Sequence, residues 1–168
     1  MREEMAEFVR DGLKEAGIDT IITLPDSRLK ELYPLLASDS ELRYIPVTNE
    51  GEGVAIAAGF WLGGKKPVML MENSGFRVAC EPLARLGLTH GIPVLMILSD
   101  VGVIGEGNWW GIAHGITMEP LLKAMRVPYI IVKHKNEVKD AIKRAKLHIS
   151  TSLYHVAIIL TGEITKKQ

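Results

Sequence analysis

Apolar and polar residues alternate along the chain with two different periods. Some segments repeat apolar residues every three or four positions, which is typical of helices that bury one face. Others are short apolar runs rich in β-branched residues, which is typical of buried strands. Helices are predicted near Met5–Leu13, Leu29–Leu36, Glu50–Leu62, Phe76–Leu88, Thr117–Met125 and Val138–Ala145. Strands are predicted at Thr20–Leu24, Tyr44–Val47, Val68–Met71, Val94–Leu98, Tyr129–Val132 and Val156–Leu160.

This alternation of strands and helices predicts the fold class. Strand–helix–strand units form right-handed crossovers and place the strands side by side in parallel. We therefore predict an α/β fold with a doubly wound, mostly parallel six-stranded sheet and helices on both faces. The 168 residues contain no internal repeat or linker, so residues 1–168 are expected to form a single domain. The tail Thr165–Gln168 is expected to fray.

Composition narrows the classes of function. Lys and Arg total 20, Asp and Glu total 20, and the formal net charge is zero, so nothing electrostatic indicates a nucleic acid or an acidic membrane as a partner. Cys80 is the single cysteine, which excludes an internal disulfide and a cysteine zinc cluster. No apolar run approaches the ~20 residues of a membrane span, and the histidines show no metal-ligand spacing. We expect a cytoplasmic protein with no metal site of its own.

In doubly wound sheets, ligands bind outside the carboxyl ends of the strands. Four polar or glycine-rich segments are predicted to lie at these ends: Leu24–Ser27, Thr48–Gly51, Glu72–Arg77 and Ser99–Gly115. The last is the longest, and we expect it to be mobile, because glycine-rich loops without a core have low local stability.

Glu50 follows a predicted strand and begins a helix crowded with small residues. A carboxylate at a helix N-terminus is stabilised by about 0.3–1 kcal/mol, so Glu50 and Glu52 both fit as ordinary first-turn acids. The segment Glu50–Gly59 holds six glycines or alanines in ten positions, although each glycine weakens a helix by about 1 kcal/mol. Such a face suits close approach by a sheet, a subunit or a cofactor. The residues alone leave these interpretations open.

The segment Asn49–Gly59 resembles the signature of the pyrimidine-binding domain of thiamine-diphosphate enzymes. That signature is a glutamate, then small residues, then a glycine nine positions later. Glu50 and Gly59 have this spacing, whereas Glu52 does not.

Three further segments extend the resemblance. Glu72–Gly75 is similar to the Gln-Asn-Ser-Gly segment of sulfopyruvate and phosphonopyruvate decarboxylases. Leu24–Ser27 resembles the loop after their first strand, and Gly91–Pro93 also fits. The resemblance covers about Glu4 to Leu160 and is greatest to the family of separate alpha subunits of sulfopyruvate decarboxylase.

The resemblance implies a set of site residues. Glu50 would hydrogen-bond N1′ of the aminopyrimidine of thiamine diphosphate, and the cofactor would then drive decarboxylation of a 2-oxo acid. The implied catalytic residues are Glu50 and His114, the implied cofactor contacts are Pro25, Glu50, Asn73, Ser74 and Gly75, and the implied substrate contacts are Asp26, Ser27 and Asn73.

The same residues also have simpler interpretations. Asp26 or Ser27 suits the N-cap of the second helix, and the N-terminus of that helix would also suit a sulfonate or phosphonate. Asn73–Gly75 suits a plain turn after a strand. A lone histidine such as His114 is more often structural than catalytic, and a surface arginine such as Arg77 is more often solvated or interfacial than substrate-binding.

The family's diphosphate-binding motif is missing. Members of the family hold the diphosphate and Mg²⁺ through a Gly-Asp-Gly motif followed by an asparagine, and this chain has no Gly-Asp-Gly. The resemblance therefore implies a beta subunit that carries this motif and binds the Mg²⁺. The active site would lie between subunits of a dimer or a larger hetero-oligomer.

Two segments depart from the family pattern. Asp100–Gly102 stands where related decarboxylases have an Arg-Gly pair, so a basic residue expected near an anionic substrate group is absent there. The pair Trp109–Trp110 is also unfamiliar, and it suits a pocket wall, a lid or a docking surface.

Taken with the resemblance, these features predict a subunit of a thiamine-diphosphate-dependent 2-oxo acid decarboxylase, a carboxy-lyase active only with its partner. The expected reaction converts 3-sulfopyruvate to sulfoacetaldehyde and CO2, as in coenzyme M synthesis. The alternatives are 3-phosphonopyruvate or a less polar 2-oxo acid as substrate, or a non-catalytic scaffold or regulatory module of the same fold.

Overall fold

A single six-stranded sheet forms the centre of the computed structural model, which describes residues 1–165. The strands follow the order β2-β1-β3-β4-β6-β5, and every neighbouring pair is parallel. The predicted α/β fold class is confirmed, and the sheet is parallel throughout the described residues. The strands are β1 (Thr20–Thr23), β2 (Arg43–Pro46), β3 (Pro67–Glu72), β4 (Leu95–Ser99), β5 (Tyr129–Val132) and β6 (Val156–Leu160).

Helices connect successive strands. They are α1 (Glu3–Glu15), α2 (Leu32–Ser38), α3 (Glu50–Leu62), α4 (Asn73–Val78), α5 (Cys80–Leu83), α6 (Ile112–Ala124), α7 (Val138–Ser152) and α8 (Gly162–Thr165). A π-helical segment, Ala84–Thr89, extends α5. In the part of the chain that the structure describes, no helix is long and apolar enough to cross a membrane.

The sheet separates two hydrophobic cores. Ile21 in β1 and Val68 in β3 face a core that also contains residues of α1, α2 and α7. Their neighbours Ile22 and Met69 face the opposite core, which contains residues of α3, α5 and α6. Because successive residues of a strand point to opposite faces, strands that are apolar throughout bury both faces, and helices cover each side.

The helix predicted at Leu29–Leu36 begins later, at Leu32. The preceding residues form turns, because Asp26 Oδ1 accepts hydrogen bonds from the backbone N–H groups of Arg28 and Leu29. The prediction that Asp26 or Ser27 is the N-cap of the second helix is therefore wrong. Asp26 caps this turn, and Glu31 occupies the N-cap position of α2.

Two other helices begin earlier than predicted. Helix α4 begins at Asn73 rather than Phe76, so the Asn-Ser-Gly segment is a first helical turn and not a loop. Helix α6 begins at Ile112 rather than Thr117, so His114 lies in its first turn and not in an irregular segment.

Glycines near the start of α6 explain why the sequence pattern placed the beginning of this helix too late. Gly102 has a φ of +88°, and a Cβ on it would lie 2.0 Å from the carbonyl oxygen of Gly111. A Cβ on Gly115 would lie 2.1 Å from the carbonyl oxygen of Gly102. These glycines allow the loop after β4 to pack backbone against backbone on α6, rather than making the segment irregular. The mobility expected for Ser99–Gly115 stays a prediction.

The expectation of a frayed tail is wrong for Thr165. This residue is buried, and its carbonyl oxygen accepts a hydrogen bond of 2.6 Å from the amino group of Met1. Residues 166–168 of the expected frayed tail lie outside the described residues.

Candidate active site

The strand order places a crevice at one edge of the sheet. The chain runs from β1 outward to β2 and then crosses back to β3 on the other side of β1. Loops leave such neighbouring strands in opposite directions, and ligands bind in the gap outside their carboxyl ends. The segments after β1 and β3, together with the N-terminus of α3 after β2, are therefore the place to look for a site.

Glu50 is the first residue of α3 at this edge. Asn49 is the N-cap, and its side-chain oxygen accepts from the backbone N–H groups of Gly51 at 2.8 Å and Glu52 at 3.4 Å. The Glu50 side chain is half-buried and packs over Gly75, where a Cβ would lie 2.5 Å from Glu50 Cγ and 2.6 Å from Oε1. Within residues 1–165, no hydrogen bond or ion pair is made by the Glu50 carboxylate.

Asn73 adds a buried amide to the same edge. Its side chain is fully buried, and Nδ2 donates to the carbonyl oxygen of Val101 at 2.7 Å and to Asp100 Oδ1 at 3.5 Å. Its Oδ1 has no hydrogen-bond partner among the described residues. A buried polar atom left in this state costs about 1–3 kcal/mol, so Oδ1 is suited to a donor from a ligand or an ordered water.

Four side chains around α4 and α6 form a polar cluster, which we call the His114 cluster: Glu72, Ser74, Arg77 and His114. Ser74 Oγ donates to Glu72 Oε1 at 2.8 Å, and His114 Nε2 lies 4.0 Å from the same oxygen. Arg77 Nη2 lies 2.6 Å from His114 Nδ1. The expectation that Arg77 is merely solvated or interfacial missed this contact, because 37 residues separate the two side chains.

Asp26 is held by the protein itself. Besides the two backbone bonds to Oδ1, its Oδ2 accepts from Tyr33 at 2.9 Å and from Ser99 Oγ at 3.2 Å. Burial, with the Asp26 carboxylate beside it, raises the pKa of Tyr33. Pro25 and Ser27 are exposed on either side of Asp26. The backbone donors proposed for a substrate anion at this turn are thus occupied by the Asp26 carboxylate.

Asp100 also lies at this edge, although its place in the sequence indicated only a departure from the family pattern. Its side chain is buried next to Asn73, and this burial, followed by the charge of Glu119, raises its pKa to about 6. Arg28 opposes the shift, although its Nη2 also pairs with Glu106 at 2.5 Å. The sequence feature that could have drawn attention to Asp100 is its position directly after a fully buried strand.

Comparisons with known proteins assign the chain to a family. Residues 3–125 match the family described as thiamine pyrophosphate enzyme, N-terminal TPP binding domain. The chain is 35% identical over 159 residues to the sulfopyruvate decarboxylase subunit alpha of Methanocaldococcus jannaschii, covering 95% of this chain and 93% of the relative. It is 32% identical over 155 residues to the protein of the same name from Methanococcus maripaludis, covering 92% and 93%.

The chain belongs to the sulfopyruvate decarboxylase alpha-subunit family of thiamine pyrophosphate enzymes. The predicted resemblance is thereby confirmed. The phosphonopyruvate decarboxylase of Streptomyces viridochromogenes is 39% identical to it over 95 residues, which cover 56% of this chain and 24% of that protein. Thiamine pyrophosphate is another name for thiamine diphosphate.

The edge fits the pyrimidine end of that cofactor in two respects. Gly75 lets the Glu50 side chain pack against α4 and remain at this edge, and Asn73 Oδ1 is a buried acceptor without a partner in the described chain. For Mg²⁺ the picture differs, because no group of three or more His, Cys, Asp or Glu side chains within residues 1–165 could hold a metal ion.

The structure brings most of the predicted site residues to one edge. Glu50 contacts Gly75, and the His114 cluster includes Ser74, which neighbours both Asn73 and Gly75. Pro25, Asp26 and Ser27 lie after β1 at the same edge. Trp110 packs against His114 with ring centroids 5.9 Å apart, whereas Trp109 is 82% exposed, so the two tryptophans have different surroundings.

Proposed function

We propose that this chain is the pyrimidine-binding alpha subunit of a sulfopyruvate decarboxylase, which converts 3-sulfopyruvate to sulfoacetaldehyde and CO2. The main support is the Glu50 carboxylate, which begins α3, lies over the space left by Gly75 and makes no hydrogen bond or ion pair within the described chain. A half-buried carboxylate with no protein partner is suited to a ligand that donates a hydrogen bond. The two alpha subunits of that name, similar over more than 90% of each chain, indicate the substrate.

Each residue at this edge has a proposed task. Glu50 shares a proton with the pyrimidine nitrogen N1′: its carboxyl group donates to the unprotonated nitrogen, and its carboxylate accepts a charge-assisted hydrogen bond from N1′–H, a bond that is strong in a dry site. Asn73 Oδ1 accepts from a donor on the cofactor or substrate, while its Nδ2 stays bonded to Val101. When bound, thiamine diphosphate accepts the electron pair that the substrate's carboxylate group leaves behind when it departs as CO2.

The partner is proposed to be a beta subunit with the Gly-Asp-Gly motif. This chain lacks that motif, so the diphosphate and Mg²⁺ would be bound by the second chain, and the cofactor would be shared. The relatives' name, subunit alpha, agrees with a multi-subunit enzyme. The cytoplasmic location expected from the sequence stays a prediction.

The test is reconstitution with the beta subunit, thiamine diphosphate and Mg²⁺. CO2 release is measured with 3-sulfopyruvate, 3-phosphonopyruvate and pyruvate, and we expect 3-sulfopyruvate to have the highest kcat/KM. A higher kcat/KM for one of the other acids would reassign the substrate. No CO2 from any of them would favour a scaffold or regulatory module.

Glu50→Gln tests the observation that supports the proposal. This variant should lower kcat by on the order of 10²–10⁴-fold, the usual contribution of a positioned acid or base, while the thermal midpoint stays unchanged. Glu52→Gln is the matched control, because Glu52 lies in the same helical turn but is exposed, and its carboxylate accepts from Thr48. Equal activity of the Glu50→Gln variant and the wild type would contradict the proposal.

A further inference from the structure

Arg77 is a cation at the candidate site whose charge is not neutralised nearby. It is half-buried in α4, and within the described residues no carboxylate lies at salt-bridge distance from it. Its only hydrogen bond there is the 2.6 Å contact to Nδ1 of His114. A guanidinium has five N–H donors in a planar fork that matches the oxygens of tetrahedral anions and carboxylates. Most of these donors are therefore available to a ligand.

The contact with Arg77 also fixes the state of His114. An arginine is always protonated and can only donate, so His114 Nδ1 must accept. The imidazole is then neutral, with its proton on Nε2, the nitrogen that lies 4.0 Å from Glu72 Oε1. Glu72 in turn accepts from Ser74. The His114 cluster thus holds Arg77 next to a neutral ring, which does not neutralise the positive charge of the guanidinium.

The other charged groups near this edge are acidic or already paired. Asp100, directly after β4, is an acid. Arg28, near the same edge, is paired with Glu106 at 2.5 Å. Arg77 is two residues beyond Gly75, the residue that packs against Glu50. Positions two apart on a helix do not face each other, so the Arg77 side chain leaves α4 toward His114 of α6 rather than toward Glu50.

We propose that Arg77 is the specificity-determining residue that binds the tetrahedral anion on C3 of the 2-oxo acid. This inference rests on the proposed function and names the residue that recognises the sulfonate. The anion accepts hydrogen bonds from the free donors of the guanidinium. His114 positions the guanidinium from one side and keeps its own Nε2–H directed toward Glu72.

The test uses the full complex with the beta subunit and cofactor, and an unreactive probe, 3-sulfopropionate. Hydrogen bonds to charged groups typically contribute enough to change binding by about 10–100-fold. We expect Arg77→Gln to weaken 3-sulfopropionate binding by that factor in calorimetry, and to raise KM for 3-sulfopyruvate with a smaller change in kcat. Arg77→Lys should restore part of the affinity, because it keeps the charge but loses the planar fork.

Controls separate this role from a structural one. Arg85→Gln should bind the probe like the wild type, since Arg85 is exposed and pairs with Glu81 one turn away. In nitrogen-15 spectra of the wild-type complex, His114 Nδ1 should appear as an acceptor nitrogen and Nε2 as protonated, and Arg77→Gln should change the Nδ1 signal. A parallel titration with 3-phosphonopropionate distinguishes a phosphonate from a sulfonate as the preferred anion.

The outcomes distinguish this inference from the proposed function. If the complex releases CO2 from 3-sulfopyruvate but Arg77→Gln leaves both KM and probe affinity unchanged, Arg77 is not the anion-binding residue and the function stands. If the probe binds through Arg77 but no CO2 is released, the decarboxylase proposal fails while the anion site is supported. A wild-type complex that binds 3-sulfopropionate no better than propionate overturns the anion site.

Discussion

The contact between Glu50 and Gly75 gives the sharpest test of how this fold positions its acid. Helix α4 brings Gly75 so close to α3 that an added Cβ would lie 2.5 Å from Glu50 Cγ, 2.6 Å from Oε1 and 2.8 Å from Cδ. Carbon atoms in contact are normally about 3.5–4.0 Å apart. Gly75→Ala therefore forces the Glu50 side chain to move away by about 1 Å.

The size of the effect on rate follows from that displacement. A misplacement of about 1 Å at a reacting centre costs about 10²-fold in rate, which corresponds to about 2.7 kcal/mol of transition-state stabilisation. The effect on stability should be much smaller. Alanine improves helix propensity by up to about 1 kcal/mol over glycine, and Glu50 is half-buried with no partner bond in the described chain to break.

The assay is CO2 release by the reconstituted complex, alongside thermal unfolding of each variant. We expect Gly75→Ala to lower kcat about 100-fold while the unfolding free energy changes by less than about 1 kcal/mol. Gly63→Ala is the matched control, because a Cβ on this glycine would meet its neighbours at ordinary distances of 3.4 and 3.5 Å. It ends the 13-residue helix that Glu50 begins, about 20 Å away. A Gly75→Ala enzyme with kcat within threefold of wild type would refute the reasoning.

Two further predictions concern the neighbours of the site. Asp26→Ala should lower the unfolding free energy by about 1–3 kcal/mol in urea titrations, because it removes the acceptor of Arg28, Leu29, Tyr33 and Ser99; unchanged stability would contradict the capping role. Asp100 has a pKa raised from 3.8 to about 6, mainly by burial, so the folded state binds its proton more tightly than the unfolded state, and wild-type stability falls as pH rises from about 4 to 6. Asp100→Asn imitates the neutral acid and should be more stable than wild type above pH 6, by on the order of 1–3 kcal/mol, but not below pH 4; the same gain at both pH values would contradict this.

The sheet could be predicted well from the sequence for a physical reason. Strands buried on both faces must be apolar throughout, and such runs stand out between polar helices and turns. The prediction Val156–Leu160 matches a strand buried at every residue. The prediction Tyr129–Val132 matches the partly exposed edge strand β5, and Glu50–Leu62 matches α3 at both ends. The end of α3 is marked by two glycines, and its beginning by the capping residue Asn49.

The starts of α4 and α6 could not be predicted in the same way, because glycine has two uses. Glycine usually interrupts helices, so the sequence suggested that Gly75 and Gly115 lie outside them. In the structure both are helical, and both are small because another part of the chain approaches closely: Glu50 at Gly75, and the backbone of Gly102 at Gly115. Whether a glycine interrupts a helix or allows a close approach depends on tertiary contacts, which the local sequence pattern does not contain.

The His114 cluster was missed for a related reason. Glu72 and Arg77 lie close together in sequence, but His114 is reached only through α6, whose start was misplaced. Arg77 lies two residues after Gly75 in a short helix. The local sequence there does not distinguish a solvated arginine from one that bonds to a histidine. The family resemblance could indicate His114, but it indicated no contact between His114 and Arg77.

Two polar groups of the candidate site, the Glu50 carboxylate and Asn73 Oδ1, have no partner among the described residues, and this agrees with a site completed by another molecule. Helix α4 contacts both α3 and α6 on one face of the sheet. These helices hold the unpartnered Glu50 carboxylate and Asn73 Oδ1, and α6 also exposes Ile112 and Ile116 one turn apart, at 48% and 66% of their surface. A chain that worked alone would gain about 1–3 kcal/mol by bonding the buried amide and more by covering the isoleucines. The proposed cofactor and beta subunit would supply both, so we expect the complex with both to unfold at a higher temperature than the isolated chain, by an amount that rises with partner concentration.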